Sequence, residues 1–311
     1  MDRIAAVVGA GLVGRAWATV FARAGWEVRI FDSAATQAGA AHAWIAASLA
    51  EQQDIGLLED AAHAASLVSV APTLQDAVSG ARWVQENLPE DVAVKRDAFE
   101  AIDAVAMPEA IVASSTSALP ASTFTAGLPG RSRCLVAHPV NPPHLIPVVE
   151  LCGAPWTSHE VIDRALTVMT EVGQVPIVVR REIDGFILNR LQGALLNEAM
   201  RLVGEGYVSA QDVDKTIAHG LGLRWSFMGP LATIELNAPG GVADYCARYA
   251  DIYRKLASNP PAAAVWDPAN VARVADGMSA PAGAQERARR MRWRDRRLLA
   301  LAKHKSQQPH S

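Results

Sequence analysis

Short β-rich apolar runs alternate with longer stretches of helical periodicity along the first half of the chain. Residues 3–8, 27–31, 67–70, 81–86, 110–114 and 133–137 predict strands, and 12–24, 34–53 and 91–104 predict helices between them. That alternation implies a parallel sheet covered on both faces. Two further strands are expected at 146–151 and 174–179, with a helix over 158–172 between them. The strand signal then stops. Residues 185–206 read as a long amphipathic helix with Gly204 and Gly206 near its end. Ser209 followed three residues later by Asp212 predicts a capped start to another helix. The pattern as a whole predicts an α/β, Rossmann-type doubly wound domain over residues 1–181. An all-α domain over 182–311 follows, with the boundary near the charged turn RREIDG.

The chain has 311 residues, half of them hydrophobic and a fifth charged, with a formal net charge of −3, which reads as a globular protein with no overall pull toward polyanions. Three cysteines, Cys134, Cys152 and Cys246, show no CxxC spacing, so neither a disulfide framework nor a metal site is expected. The N-terminal apolar run is too short to span a bilayer, and its glycines have another use; a cytoplasmic location without membrane contact is expected. Residues 286–305 hold nine Lys/Arg and two acids. With no nucleic-acid motif beside it, this run predicts a solvated helix face, or a face against a partner subunit, with Trp293, Leu298, Leu299 and Leu301 on its buried side.

Chemistry enters with VVGAGLVG (7–14). Gly9, Gly11 and Gly14 follow a strand and open a helix, and Asp32 ends the next strand. The first glycine suits a tight turn, the second lets backbone approach a pyrophosphate, and the third lets helix pack on strand. The loop with Leu12 and Val13, at a helix N-terminus, would take the phosphates of a dinucleotide, and Asp32 the ribose hydroxyls. A carboxylate at that point, followed by Ser33, Ala34 and Ala35, favours NAD over NADP.

The stretch CLVAHPVNPPHLIPVVELC (134–152) places His138 at one strand end and Glu150 in the next strand. A carboxylate bonded to one imidazole nitrogen leaves the other free to take a proton, which alcohol oxidation requires. His138, Asn141 and Glu150, after SSTS (114–117) and before GFILNR (185–190), resemble the 3-hydroxyacyl-CoA dehydrogenase superfamily in order and spacing over roughly residues 3–245. The resemblance implies that Ser117 and Asn189 hydrogen-bond the reacting oxygen. It also implies that Asn141, Glu90 and Lys95 lie near the nicotinamide end of NAD, and that the chain is a homodimer.

Residues 31–81 contain six acids and no Lys or Arg, a field that would repel a CoA phosphate. Arg224 in GLGLRWSFMGP (220–230) offers a fork for a carboxylate. That segment, GRAWATVFA (14–22) and the tail from Trp293 resemble the lambda-crystallin branch of the superfamily, whose activity is L-gulonate 3-dehydrogenation. They are also similar to L-carnitine dehydrogenases. The expectation is NAD-dependent oxidation of a free 3-hydroxy acid. Carnitine or acyl-CoA dehydrogenation, or a non-catalytic crystallin role, stand as alternatives.

Overall fold

The computed structural model describes residues 3–278 and 283–308. The chain divides into two compact units. One runs to Asn189 and is taken up again from Trp293; the other is Arg190–Arg292. The division of contacts falls inside the long helix, whose start is bound to the first unit's sheet.

Eight strands form one sheet: β1 (Ile4–Val8), β2 (Glu27–Phe31), β3 (Val68–Val70), β4 (Trp83–Glu86), β5 (Ile111–Ser114), β6 (Cys134–Pro139), β7 (Val148–Gly153) and β8 (Val175–Val179). Their order is β3-β2-β1-β4-β5-β6-β7-β8. The neighbours on either side of β1 lead in opposite directions along the chain, so the crevice above the ends of β1 and β4 is the switch point where doubly wound sheets bind ligands.

The sheet is not fully parallel. β1 to β6 are parallel, but β7 pairs antiparallel with β6, and β8 follows β7 in parallel. The reason is the link. A parallel return needs a crossover of about a dozen residues or more. The segment 140–147, with Pro142, Pro143 and Pro147, is too short for one, so β7 folds back as a hairpin. Between β7 and β8 the helix His159–Glu171 supplies a crossover, and the pair is parallel.

The sheet buries both faces. Trp17 and Phe21 from the helix Leu12–Arg23 pack with Trp26 and Trp83 on one face, alongside Leu135, Ala137, Val149 and Leu151. Phe99 and Phe124 meet edge to face on the other, with Cys134, Val136 and Cys152. Strand side chains alternate between faces. His138 and Glu150 therefore continue the second set.

In the second unit Ser209 caps the helix Ala210–Thr216, accepting from the Asp212 amide. The helices Pro230–Leu236, Gly241–Ala257 and Pro268–Gly277 follow. The basic run forms the helix Ala284–Ser306, but its apolar side chains are not all covered. Leu299 is buried, whereas Trp293 and Leu301 are 65% and 40% exposed. Among the described residues, no helix is long and apolar enough to cross a membrane.

Candidate active site

The glycine loop separates two demands. Gly9 sits at φ +90°, and a Cβ there would lie 3.0 Å from the Asn87 carbonyl; a Cβ on Gly14 would lie 1.8 Å from the Gly9 carbonyl. The fold itself needs these two. A Cβ on Gly11 would meet nothing, so the chain leaves open space there. Gly11 starts the helix without a side-chain cap, and Leu12 and Val13 form its first turn. An uncapped helix start beside open space fits a pyrophosphate. Asp32 binds the loop as well: Oδ2 accepts from Ala10 N at 2.8 Å and Oδ1 from Ala34 N at 2.9 Å. Each oxygen keeps a lone pair for a ribose hydroxyl.

The loops after β4 and β5 are joined by Glu90. Its Oε1 accepts from the Thr116 hydroxyl at 2.5 Å and from the amides of Ser117 and Ala118 at 3.0 and 2.9 Å. Burial alone would raise this carboxyl, but those bonds and the Lys95 charge outweigh it and hold it below its usual value. Ser117 itself is exposed at the sheet's edge. Asn189 donates from Nδ2 to the Ser117 carbonyl at 2.9 Å, so the structure brings these two together. Asn141 is exposed at the start of the 140–147 segment.

Lys95 is buried: its side chain is 1% exposed, and its ammonium lies 3.1 Å from both oxygens of the fully buried Glu86 and also donates to Leu88 O. On the helix Val92–Val105 it shares a buried face with Phe99 and Ile102, at helical spacing. Ser114 donates to Glu86 at 2.5 Å and Leu88 N to its other oxygen. Lys95 therefore buttresses the strand ends from behind.

A second polar junction escaped the motif reading. Ser115 Oγ accepts from Trp17 Nε1 at 3.0 Å and Gln85 Nε2 at 2.7 Å, and donates to Asn87 Oδ1 at 2.7 Å. Asn87 Nδ2 donates to Val8 O. The glycine-loop strand is thereby tied to the loop carrying Ser117. The signal was present: Ser115 lies in the SSTS stretch (114–117), and Trp17 lies in the motif 14–22.

His138 and Glu150 are direct partners in the β6–β7 register, with Nδ1 2.7 Å from Oε2 and both side chains buried. Glu150 Oε1 accepts from the amides of Ile187 and Leu188 at 2.8 and 2.9 Å. Burial pushes the Glu150 carboxyl up, yet the bonds from His138, Leu188 and Ile187 outweigh it and hold it below its usual value. Among the described residues, His138 Nε2 has no hydrogen-bond partner. Nδ1–H donated to a carboxylate and a bare Nε2 make a proton acceptor. Arg224 lies in the second unit, in the short helix Gly222–Trp225; it is exposed and makes no ion pair with a described residue.

The family described as 3-hydroxyacyl-CoA dehydrogenase, NAD binding domain, matches residues 4–183, and that family's C-terminal domain matches residues 185–265. The chain belongs to the 3-hydroxyacyl-CoA dehydrogenase family. Members of this family are NAD-dependent 3-hydroxyacid or 3-hydroxyacyl-CoA dehydrogenases, and the cofactor is NAD. Within the family, lambda-crystallin of Oryctolagus cuniculus is 40% identical over 306 residues, 97% of this chain and 96% of that protein. L-carnitine dehydrogenase of a Pseudomonas species is 36% identical over 303 residues, 95% and 92% of the two chains. The solved structure of an NAD+-dependent dismutase, 5-formyl-3-hydroxy-2-methylpyridine 4-carboxylic acid 5-dehydrogenase, aligns with a TM-score of 0.82 at 27% identity. That alignment covers 99% of this chain and 100% of the other.

Proposed function

We propose that the chain oxidises the 3-hydroxyl of a free 3-hydroxy acid, L-gulonate foremost, to the 3-oxo acid. The observation that carries this reading is the His138–Glu150 pair with a bare Nε2. His138 Nε2 takes the hydroxyl proton, and Glu150 stabilises the imidazolium that results. Ser117 and Asn189 hold the reacting oxygen, and Arg224 takes the substrate carboxylate in a two-point grip. Gly9, Gly11, Leu12, Val13, Gly14 and Asp32 hold NAD, with Asn141 and Glu90 at its nicotinamide end. When bound, NAD+ accepts the hydride from the carbon that bore the hydroxyl.

Three observations favour a free acid over a CoA thioester. Residues 31–81 carry acids and no basic side chain, which disfavours a polyphosphate. Arg224 is exposed and without a carboxylate partner among the described residues. An L-carnitine dehydrogenase is among the near-full-length relatives, and carnitine is a free 3-hydroxy acid. The chain is also read as a cytoplasmic homodimer. Cys134 and Cys152 are unpaired with thiols pushed up to about 12, chiefly by burial, which suits a reducing compartment. Leu223, Phe227, Leu231 and Leu236 are 63–73% exposed, an apolar surface that a second copy would cover. Sedimentation as a monomer at micromolar concentration would remove the dimer.

The test of substrate is NADH formation with L-gulonate, L-carnitine and 3-hydroxybutyryl-CoA in parallel, each with NAD+ and NADP+. Turnover is expected with a free acid and NAD+. Turnover with the thioester alone sinks the free-acid reading.

A further inference from the structure

We infer that Phe186 is a positioning residue for the His138–Glu150 pair: its left-handed backbone aims two amides at Glu150 while its ring lies against His138. The inference rests on His138 being the base. Gly185 and Phe186 both have positive φ, +74° and +47°. Glycine adopts that region freely, but a Cβ-bearing aromatic residue is crowded there. Phe186 is the one non-glycine residue of the described chain to do so. A bulky residue keeps such a conformation only where its surroundings demand it, and such sites gather where geometry is used.

What the conformation accomplishes is visible in the bonds. The Phe186 amide closes a turn on Ile183 O at 3.0 Å. The next two amides, of Ile187 and Leu188, then converge on Glu150 Oε1, at the very start of the helix Leu188–Gly204. Consecutive amides at a helix start form an anion cradle, filled here by the protein's own carboxylate. With Oε1 held from one side and Oε2 bonded to His138 Nδ1, Glu150 cannot rotate, and the imidazole plane follows it.

The ring completes the arrangement. Phe186 is fully buried in the second-face core with Val136 and Cys152. Its centroid lies 5.6 Å from that of His138, tilted 40°. It therefore keeps water from one face of the imidazole. Glycine would satisfy the turn and leave that face open. Leucine would fill the space without a flat surface. A filler alone would need no left-handed backbone.

The experiment compares Phe186→Leu, Phe186→Met and Phe186→Gly with the unsubstituted full chain and with His138→Asn. Three readouts are taken: NAD+ affinity by calorimetry, kcat and KM across pH with the acid turned over above, and histidine-ring nitrogen NMR, with the His138 signal identified by its loss in His138→Asn. NAD+ affinity is expected within about twofold of the parent, because the glycine loop is untouched. kcat should fall about tenfold or more, and the pH profile of kcat/KM should move by roughly half a unit as water reaches the ring. The His138 ring signal should lose its single tautomer. If folded Leu and Met variants keep kcat, the pH profile and the ring signal, Phe186 is only a filler and the inference is wrong. A His138→Asn variant that retains turnover removes the base reading instead, and the ring signal still decides the positioning.

Discussion

His138 Nδ1 and Glu150 Oε2 lie 2.7 Å apart at opposed positions of an antiparallel pair, with both side chains buried. The carboxylate is the only hydrogen-bond partner of that ring among the described residues, so it alone sets which nitrogen keeps the proton. Glu150→Gln is expected to lower kcat about a hundredfold while NAD+ affinity holds. An amide offers one acceptor oxygen, so it cannot serve both the ring and the helix start. Steady-state kinetics on the folded variant checks this; kcat within threefold of the parent would remove Glu150 from the chemistry.

The two kinds of glycine in the 9–14 loop predict opposite behaviour. Gly14→Ala places a methyl 1.8 Å from the Gly9 carbonyl and should lower Tm and NAD+ affinity together. Gly11→Ala meets no protein atom, so Tm should stay within about a degree while NAD+ affinity falls about tenfold or more. Paired calorimetric and thermal melts separate the two.

Lys95→Met leaves Glu86 as a buried carboxylate without its cation. The expected cost is about 3–5 kcal/mol. Adding Glu86→Gln should recover most of it, since no charge is then stranded. Urea unfolding of the single and double variants measures the difference. An unstable double variant would show that the pair's bonds to Leu88 and Ser114 matter more than its charge.

His144 supplies a pH dependence of folding. Burial, then the charges of Arg23, Arg15 and Arg294, push its imidazole down to about 3 from an ordinary value of 6.5. Below pH 6.5 the unfolded chain binds a proton that the fold refuses, so stability falls as pH drops, by up to about 1.4 kcal/mol per unit, toward pH 3. Glu150 and Glu90 have lowered values, so their contribution is present above about 4.5 and lost only as pH falls through those lowered values. Between pH 5 and 6.5 the slope therefore belongs to His144 among these three. Urea midpoints of His144→Gln should lose that slope.

Much of this was readable beforehand because it is local. Strand β2 falls on the expected 27–31, and the expected helix 158–172 is observed as His159–Glu171. The twelve-residue spacing of His138 and Glu150 spans a hairpin that closes on itself. The reversed direction of β7 follows from the missing crossover, which the apolar pattern alone does not weigh. The burial of Lys95 against Glu86 follows from its place on the 95–99–102 face, which its motif alone does not weigh. The Trp17–Ser115 bond joins residues 98 apart in sequence, beyond any periodicity. The left-handed backbone of Phe186 could not be anticipated, since glycine is the residue that normally announces it.

The β6–β7 hairpin makes the chemistry a matter of strand registry. Side chains alternate faces, so sliding β7 by one residue would turn Glu150 from His138 into the opposite core and carry Leu151 toward the imidazole. Lengthening the proline-bearing link would leave that registry alone, whereas a single residue inserted between Val148 and Glu150 would break it. The His138–Glu150 pairing thus depends on strand registry and not on the length of the link that joins the strands.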